Sequence, residues 1–431
     1  MRTAGPAIAA VLLLGLASAA SLAPPAAASQ RVLVLLESLD LQQSHSEFFG
    51  GLSSRGYQLD FKQVSDKMLQ LRDWDTWLYD KVIIFAVKGD LGGAIDTTLL
   101  AEFVDDGHDL LLAVGSGVSE ELRELAQEMG VDLDARDTAV IDHFSFDGQL
   151  GAADHTAVLA TDILDTRAVF SQPLKAPVLF RGIGMSLPRE TELAFLALWG
   201  SPTAYSSKPG TALTEVTLAG SELGLVALVQ ARNNARVAVA GSIDMFSNEF
   251  FRHSLTSRLG ESLGSPSNAA FCSGIAKWTF HERGVLHAHN LRHRVVGGPL
   301  RPEQYRVSDD VEFSVDIFLC EEGSCVPYKA KDVQVELVML DPYIRTTLQH
   351  DDKGTFSKQV KVPDTYGVFK WVLQYHRPGY SYIDMTETVP IRPFRHDEYE
   401  RFIQQAYPYY ASVFSVMAGF FAVGFFFLYH K

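Results

Sequence analysis

Nineteen consecutive uncharged residues, Ala411–Tyr429 (ASVFSVMAGFFAVGFFFLY), constrain this chain more than any other stretch. At about 1.5 Å per residue a helix of that length spans roughly 28 Å, close to the hydrocarbon thickness of a bilayer. The uncharged run reaches back to Phe402, and tyrosines 407, 409, 410 and 429 stand where the two aromatic belts of a span would lie. A core helix of a soluble domain is the alternative, but only His430 and Lys431 follow. The expectation is a transmembrane helix at 409–429, a juxtamembrane segment at 396–408 and a cytosolic tail at 430–431. At the other end, residues 1–28 combine Arg2, an apolar stretch Ile8–Leu16 and small residues up to Ala28. That pattern predicts a cleavable secretory signal, which places everything between it and the span on the lumenal or extracellular side.

Charge and cysteine content narrow the function classes. The formal net charge is −15, so the basic footprint of a nucleic-acid-binding protein is missing. Three cysteines are too few to build an exported fold on disulfides. Cys320 and Cys325 bracket Glu-Glu-Gly-Ser, a hairpin tip that a bridge could cross, and both the bridged and the free pair remain open. Cys272 reads as a small buried residue. The sequence contains no Asn-x-Ser/Thr sequon.

Residues 29–258 read as one α/β domain. Arg31–Glu37 is a continuous apolar run suited to a parallel strand buried on both faces, and Tyr57–Phe61, Lys81–Val87 and His108–Val114 read as the second, third and fourth strands. Helical periodicity falls between them at His45–Arg55 and Leu99–Val104, and again after the fourth at Ser119–Met129. Such alternation predicts a doubly wound, Rossmann-like sheet. Ala139–His143, Val178–Phe180, Leu223–Gln230 and Arg236–Ala240 read as further strands, with an Asn233-Asn234 turn before the last. Residues 259–300 read as a linker or bridging segment containing a helix at Phe271–Phe280. Period-two alternation at Val311–Ile317, Val333–Met339 and Phe369–Tyr375 then predicts an immunoglobulin-like β-sandwich over 301–395.

Candidate chemistry is sparse. Glu37-Ser-Leu-Asp40 follows the first strand and lacks the glycines a dinucleotide fingerprint needs. Gly115-Ser116-Gly117 follows the fourth and is shorter than a nucleophile elbow; Ser116 reads as a turn or cap residue, with Asp142 and His143 as partners were it catalytic. Asp73/Asp75 and Asp132/Asp134 form Asp-x-Asp pairs of the kind that hold a divalent cation, but the tripeptide is common by chance. Histidines 281, 287, 289 and 293 match no metal spacing and read as a solvated stretch. Asp147, Arg181 and the Asn233–Arg236 turn read as structural hydrogen-bonding groups. No catalytic, cofactor or metal residue is assigned. The span carries the clearest pattern: Ala411, Ser415 and Gly419, at i, i+4 and i+8, form a small-residue ridge suited to packing against another membrane helix.

Several long peptides together resemble the 48 kDa subunit family of the endoplasmic-reticulum oligosaccharyltransferase. They are Thr138–His143, Leu179–Met185, Gln230–Val237, Asp341–Arg345, Pro363–Phe369, Tyr399–Ile403 and Ala406–Ala411. The resemblance implies an amidotransferase-like N-terminal domain without a working nucleophile. It also implies a non-catalytic scaffold role beside a polytopic catalytic subunit, ribophorin-type subunits and small membrane subunits. The complex transfers a preassembled oligosaccharide from dolichyl diphosphate to Asn of Asn-x-Ser/Thr. Relatives often end in a longer lysine-rich tail, so retention in the endoplasmic reticulum would here come through partners. Two other readings stay open: a lumenal hydrolase or glycosyltransferase, and a cell-surface receptor.

Overall fold

The computed structural model describes residues 30–88, 91–92, 95–188, 192–211 and 216–430; the expected signal segment and Lys431 lie outside them. The apolar runs at the start of the chain form β1 (Arg31–Leu36), β2 (Gln58–Gln63), β3 (Lys81–Phe85) and β4 (Asp109–Ala113). Alternate residues of these strands feed two separate cores. Val32, Val34, Ile83, Phe85 and Leu111 pack on one face under α1 (Ser46–Ser54), which contributes Phe48, Phe49 and Leu52. Leu33, Leu35, Val82, Ile84 and Leu110 pack on the other. There they meet α2 (Thr97–Asp105) and α3 (Glu120–Glu128) through Leu100, Phe103, Leu122 and Leu125. A strand apolar on both faces needs cover on both, and the helices supply it. Helix α2 begins two residues before the apolar stripe because Asp96 caps it, accepting from Leu99 N at 2.7 Å.

The sheet continues through β5 (Asp132–Leu133), β6 (Met185–Ser186), β7 (Ala194–Trp199), β8 (Gly224–Gln230) and β9 (Arg236–Ala240). Its order is β2-β1-β3-β4-β9-β8-β6-β5, with β7 also on β8; β2 to β9 run parallel, and β8 turns antiparallel. The result is a mixed sheet. Ala139–Ile141 and Val178–Phe180, expected as strands of the same domain, leave the main sheet for two-stranded ribbons with Tyr205–Ser207 and Val158–Ala160.

Residues 259–300 bridge the two parts through packed elements, and the helix expected at Phe271–Phe280 is present at Asn268–Thr279. Ser262–Gly264 pairs with Leu255–Thr256, and helix α4 (Asn268–Thr279) sinks Phe271, Cys272, Ile275 and Trp278 into the first core of the α/β domain. From Val285 the chain is already β10 (Val285–Val295), a strand of the sandwich. Periodicity could not reveal how deeply α4 sits, because it is buried nearly all round, nor β10, which is interrupted by a bulge between His289 and Arg292.

The sandwich has two sheets around one core that includes Phe313, Val315, Leu337, Phe356, Phe369, Trp371 and Leu373. One contains β10, β12 (Asp310–Glu321), β13 (Ser324–Pro327), β16 (Gln349–His350) and β17 (Thr355–Lys361). The other contains β11 (Tyr305–Arg306), β14 (Gln334–Val338), β15 (Pro342–Thr347), β18 (Gly367–Tyr375) and β19 (Ile383–Arg392). Cys320 and Cys325 stand opposite one another in the β12–β13 ladder, joined as a disulfide. The chain ends in α5 (Tyr407–Tyr429).

A polar joint locks the two globular parts together. Arg236, fully buried, donates to the carbonyls of Trp278, Arg283 and Gly284 at 2.7, 2.6 and 2.8 Å, and its plane covers the Trp278 ring. Asn234, with φ +71°, receives Tyr382 N and donates to Tyr382 O, while Gln230 reaches Tyr380 O at 2.6 Å. Gly284 takes φ +64° with the Gly379 carbonyl 2.5 Å from where a Cβ would stand, so only glycine fits that crossing. Beneath the joint, the buried Lys81–Asp109 pair receives His281 Nε2–H at 3.0 Å. Truncating Arg236 to Met should strand three buried carbonyls and cost about 3 kcal/mol or more. A fall in the urea midpoint of the detergent-solubilised chain would register it.

Candidate functional site

Ligands of open α/β sheets bind beyond the carboxyl ends of the strands, and this domain has a crevice there. Val87, Gly115, Ser116, Arg181, Gly182 and Asp244 help line a cavity of about 300 Å³. It is closed from one side by the segment Arg181–Met185, which crosses the end of β9: Ile183 N donates to Gly241 O at 2.8 Å. A Cβ on Gly182 would stand 1.9 Å from the Gly241 carbonyl, so this crossing explains Gly182 in the Leu179–Met185 peptide. At the mouth Arg181 pairs with Asp244 at 2.8 Å, both side chains about half exposed.

The groups that could perform chemistry here are already engaged. Glu37, at the end of β1, accepts from Val87 N and Lys88 N at 2.9 and 3.3 Å, occupying amides that a phosphate would need. Ser116 is exposed, and no described histidine or carboxylate bonds its hydroxyl. His143 binds His155 and Tyr205 OH instead. Asp142 accepts from Ser201, Thr203 and the amides of Phe144 and Ser145. Burial pushes the Asp142 carboxyl up, yet these donors outweigh it and hold the group below its ordinary range. Asp147 has the same pattern, burial opposed by Leu150 N, Thr256 N, Gln149 N and His253. Both carboxylates fold loops.

The metal candidates do not converge either. Asp75 pairs with Arg72 at 3.6 Å across a short ribbon turn, and Asp134 accepts from Thr217 at 2.9 Å. Among the described residues no group of three His, Cys, Asp or Glu side chains could hold a metal. The histidine stretch, expected to be solvated, is divided. His287 is exposed, but His281 binds Asp109, and His293 is buried between Tyr305 OH at 2.5 Å and Glu387 at 3.3 Å. The register of β10 turns His293 inward, and the buried Asp109 draws His281 onto it.

Helix α5 is the other site. Its side chains stand exposed along its whole length, and its mean hydropathy of 2.1 is that of a membrane span. Ser412 and Ser415 bond back to Tyr409 O and Ser412 O at 2.8 Å each, so neither hydroxyl needs water. A Cβ at Gly419 would meet nothing within 4 Å, leaving the ridge of Ala411, Ser415 and Gly419 open to a neighbour.

Comparison with known proteins gives this arrangement a context. A family model described as OST48, N-terminal domain, matches residues 24–282, and one described as OST48 middle domain matches 290–431. The chain belongs to the OST48 family. The 48 kDa subunit of dolichyl-diphosphooligosaccharide–protein glycosyltransferase from Arabidopsis thaliana is 44% identical over 412 residues, 93% of each chain. Its namesake from Danio rerio is 38% identical over 410 residues, 93% of this chain and 92% of that one. The one from Caenorhabditis elegans is 37% identical over 410 residues, covering 94% and 92%. The interval between the two OST48 segments contains Gly284, the crossing point of the joint.

Burial also sets the pH response of this OST48 chain. His45, between the Leu41 and Ile243 carbonyls beside the crevice, is held below its ordinary value by burial, as are His281 and His293. The folded state therefore sheds protons that the unfolded state takes up below pH about 6.5. Stability should be full above that pH and fall as the medium is acidified through it. Urea midpoints measured between pH 7.5 and 5.5 should decline, and His45→Gln should flatten part of the slope.

Proposed function

We propose that the chain is a non-catalytic subunit of the endoplasmic-reticulum oligosaccharyltransferase, the complex that transfers oligosaccharide from dolichyl diphosphate to Asn of Asn-x-Ser/Thr. The identity of 44% over 93% of both chains with a relative named as the 48 kDa subunit carries this reading. In it, residues 29–258 are an amidotransferase-like domain, consistent with the parallel order β2-β1-β3-β4-β9. The globular parts lie in the lumen, and α5 anchors them. The chain supports the polytopic catalytic subunit, with ribophorin-type and small membrane subunits as neighbours. The engaged state of Asp142 and His143, and of the amides bound by Glu37, favours a scaffold over a hydrolase. The Cys320–Cys325 pairing suits an oxidising lumen.

Two experiments test the reading. Ser116→Ala, introduced into the complex, should leave transfer of lipid-linked oligosaccharide to an acceptor peptide unchanged; a loss of transfer would place chemistry in this chain. The ridge is the proposed packing surface, since close approach of helices in lipid requires small residues. Leucine at Ser415 and Gly419 together should reduce co-purification of the other subunits by about tenfold, at a cost of about 1.4 kcal/mol, while membrane insertion persists. Undiminished co-purification would remove the ridge from the interface.

A further inference from the structure

One end of the sandwich is apolar at its surface, and the covalent geometry says where that end must be. Strand β18 begins at Gly367 opposite Ile391 near the end of β19, and Val338 at the end of β14 pairs with Lys370. The turn 339–341, Tyr366 and the exit of the chain at Arg392 therefore share one end of the sheet. There Leu340 is 91% exposed, Tyr366 67%, Val368 59% and Tyr343 44%. Tyr343 is anchored, its ring 5.2 Å from that of Phe369, and the backbone of Gly367 between Tyr366 and Val368 packs against the Met339 sulfur. Asp341, Asp364 and Lys370 flank them with both signs, so no single charge dominates the surface.

The distance from this end to the helix is short. Arg392 grips both oxygens of Glu398 at 2.6 and 2.7 Å, and Arg395 N adds a third bond to the same carboxylate at 2.8 Å. Phe402 stacks on Tyr410, in the first turn of α5, at 5.4 Å. Only four Cα steps separate Glu398 from Phe402, at most about 15 Å of chain. Tyr407, Tyr409 and Tyr410 mark the interfacial level of the span, and the headgroup layer above the hydrocarbon is itself several ångströms thick. A rim of Leu, Val and Tyr held that close to the interface has the chemistry of a surface that partitions into it.

We propose that Leu340, Tyr343, Tyr366 and Val368 form a membrane-resting surface, seated at the headgroup–acyl boundary beside α5. The lipid it takes is neutral, because the patch offers apolar and phenolic groups and no basic cluster. Seating the sandwich in this way gives the globular part a fixed height and tilt over the bilayer, which a single flexible tether would not.

Depth-dependent quenching tests this on the full chain in phosphatidylcholine vesicles, alone and within the assembled complex. A fluorophore is attached through Leu340→Cys, Tyr366→Cys, Lys353→Cys or Val413→Cys; the buried Cys272 and the paired Cys320 and Cys325 do not compete for it. Headgroup nitroxide lipid should quench positions 340 and 366 about threefold more than position 353, and acyl-chain nitroxide should quench position 413. Equal quenching at 340, 366 and 353 with position 413 quenched would overturn the proposal while leaving the span intact. Shielding of 340 in the complex without lipid quenching would overturn it in favour of a protein partner. An unquenched position 413 would overturn the span, and the proposal with it.

Discussion

A guanidinium buried among three carbonyls holds the globular part of this chain in one piece. Arg236 leaves the last parallel strand of the α/β sheet, passes under Trp278 and ends on the backbone of Trp278, Arg283 and Gly284, where α4 gives way to the sandwich. The carbonyls at a helix C-terminus need donors, and the helix dipole there favours a cation. Desolvation lowers the pKa of the guanidine group to about 10, still well above neutrality, so the charge persists at pH 7. The aromatic face of Trp278 and the nearby Asp109 make the burial tolerable. The rest of the joint is arranged around this contact: Gln230 and Asn234 from the same hairpin, Gly284 and Gly379 crossing, Arg283 on Glu321 and Lys277 on Glu322.

That arrangement separates what could be seen in the sequence from what could not. Most strands of the parallel half, β1, β3 and β4 among them, hold unbroken apolar stretches, and their places were evident from the sequence. Three sandwich strands, β12, β14 and β18, alternated with a period of two and were equally plain. In the segment 259–300 the bridging helix was legible, but its depth of burial and strand β10 were not, because a helix covered nearly all round lacks a stripe and a bulged strand lacks a period. The histidines misled for a related reason. His281 and His293 take their burial from distant partners, Asp109 and Tyr305, which no local pattern announces.

The candidate site was legible mainly in the negative. A missing glycine loop and a shortened elbow pointed away from a nucleotide or a nucleophile, but only the structure shows what fills those positions. Glu37 stands where a fingerprint would need glycine, and its carboxylate instead binds the amides of Val87 and Lys88 at the end of β3. The Arg181–Met185 peptide stood out as a resemblance without a reason, and the contact between Gly182 and Gly241 supplies one. The small-residue ridge of α5 was visible from spacing, since a helix in lipid needs no tertiary partner to set its period.

Glu37 has a consequence for what the end of β3 can bind. Because the carboxylate is tethered to the strand whose end it guards, it competes with any incoming anion at an effective concentration no free ligand readily matches. The backbone donors at the end of β3 are in that sense permanently capped by a side chain of the neighbouring strand. A strand end so capped has no free donors left for a phosphate, and the loop after β3 is held to β1 by a side chain instead of by a ligand.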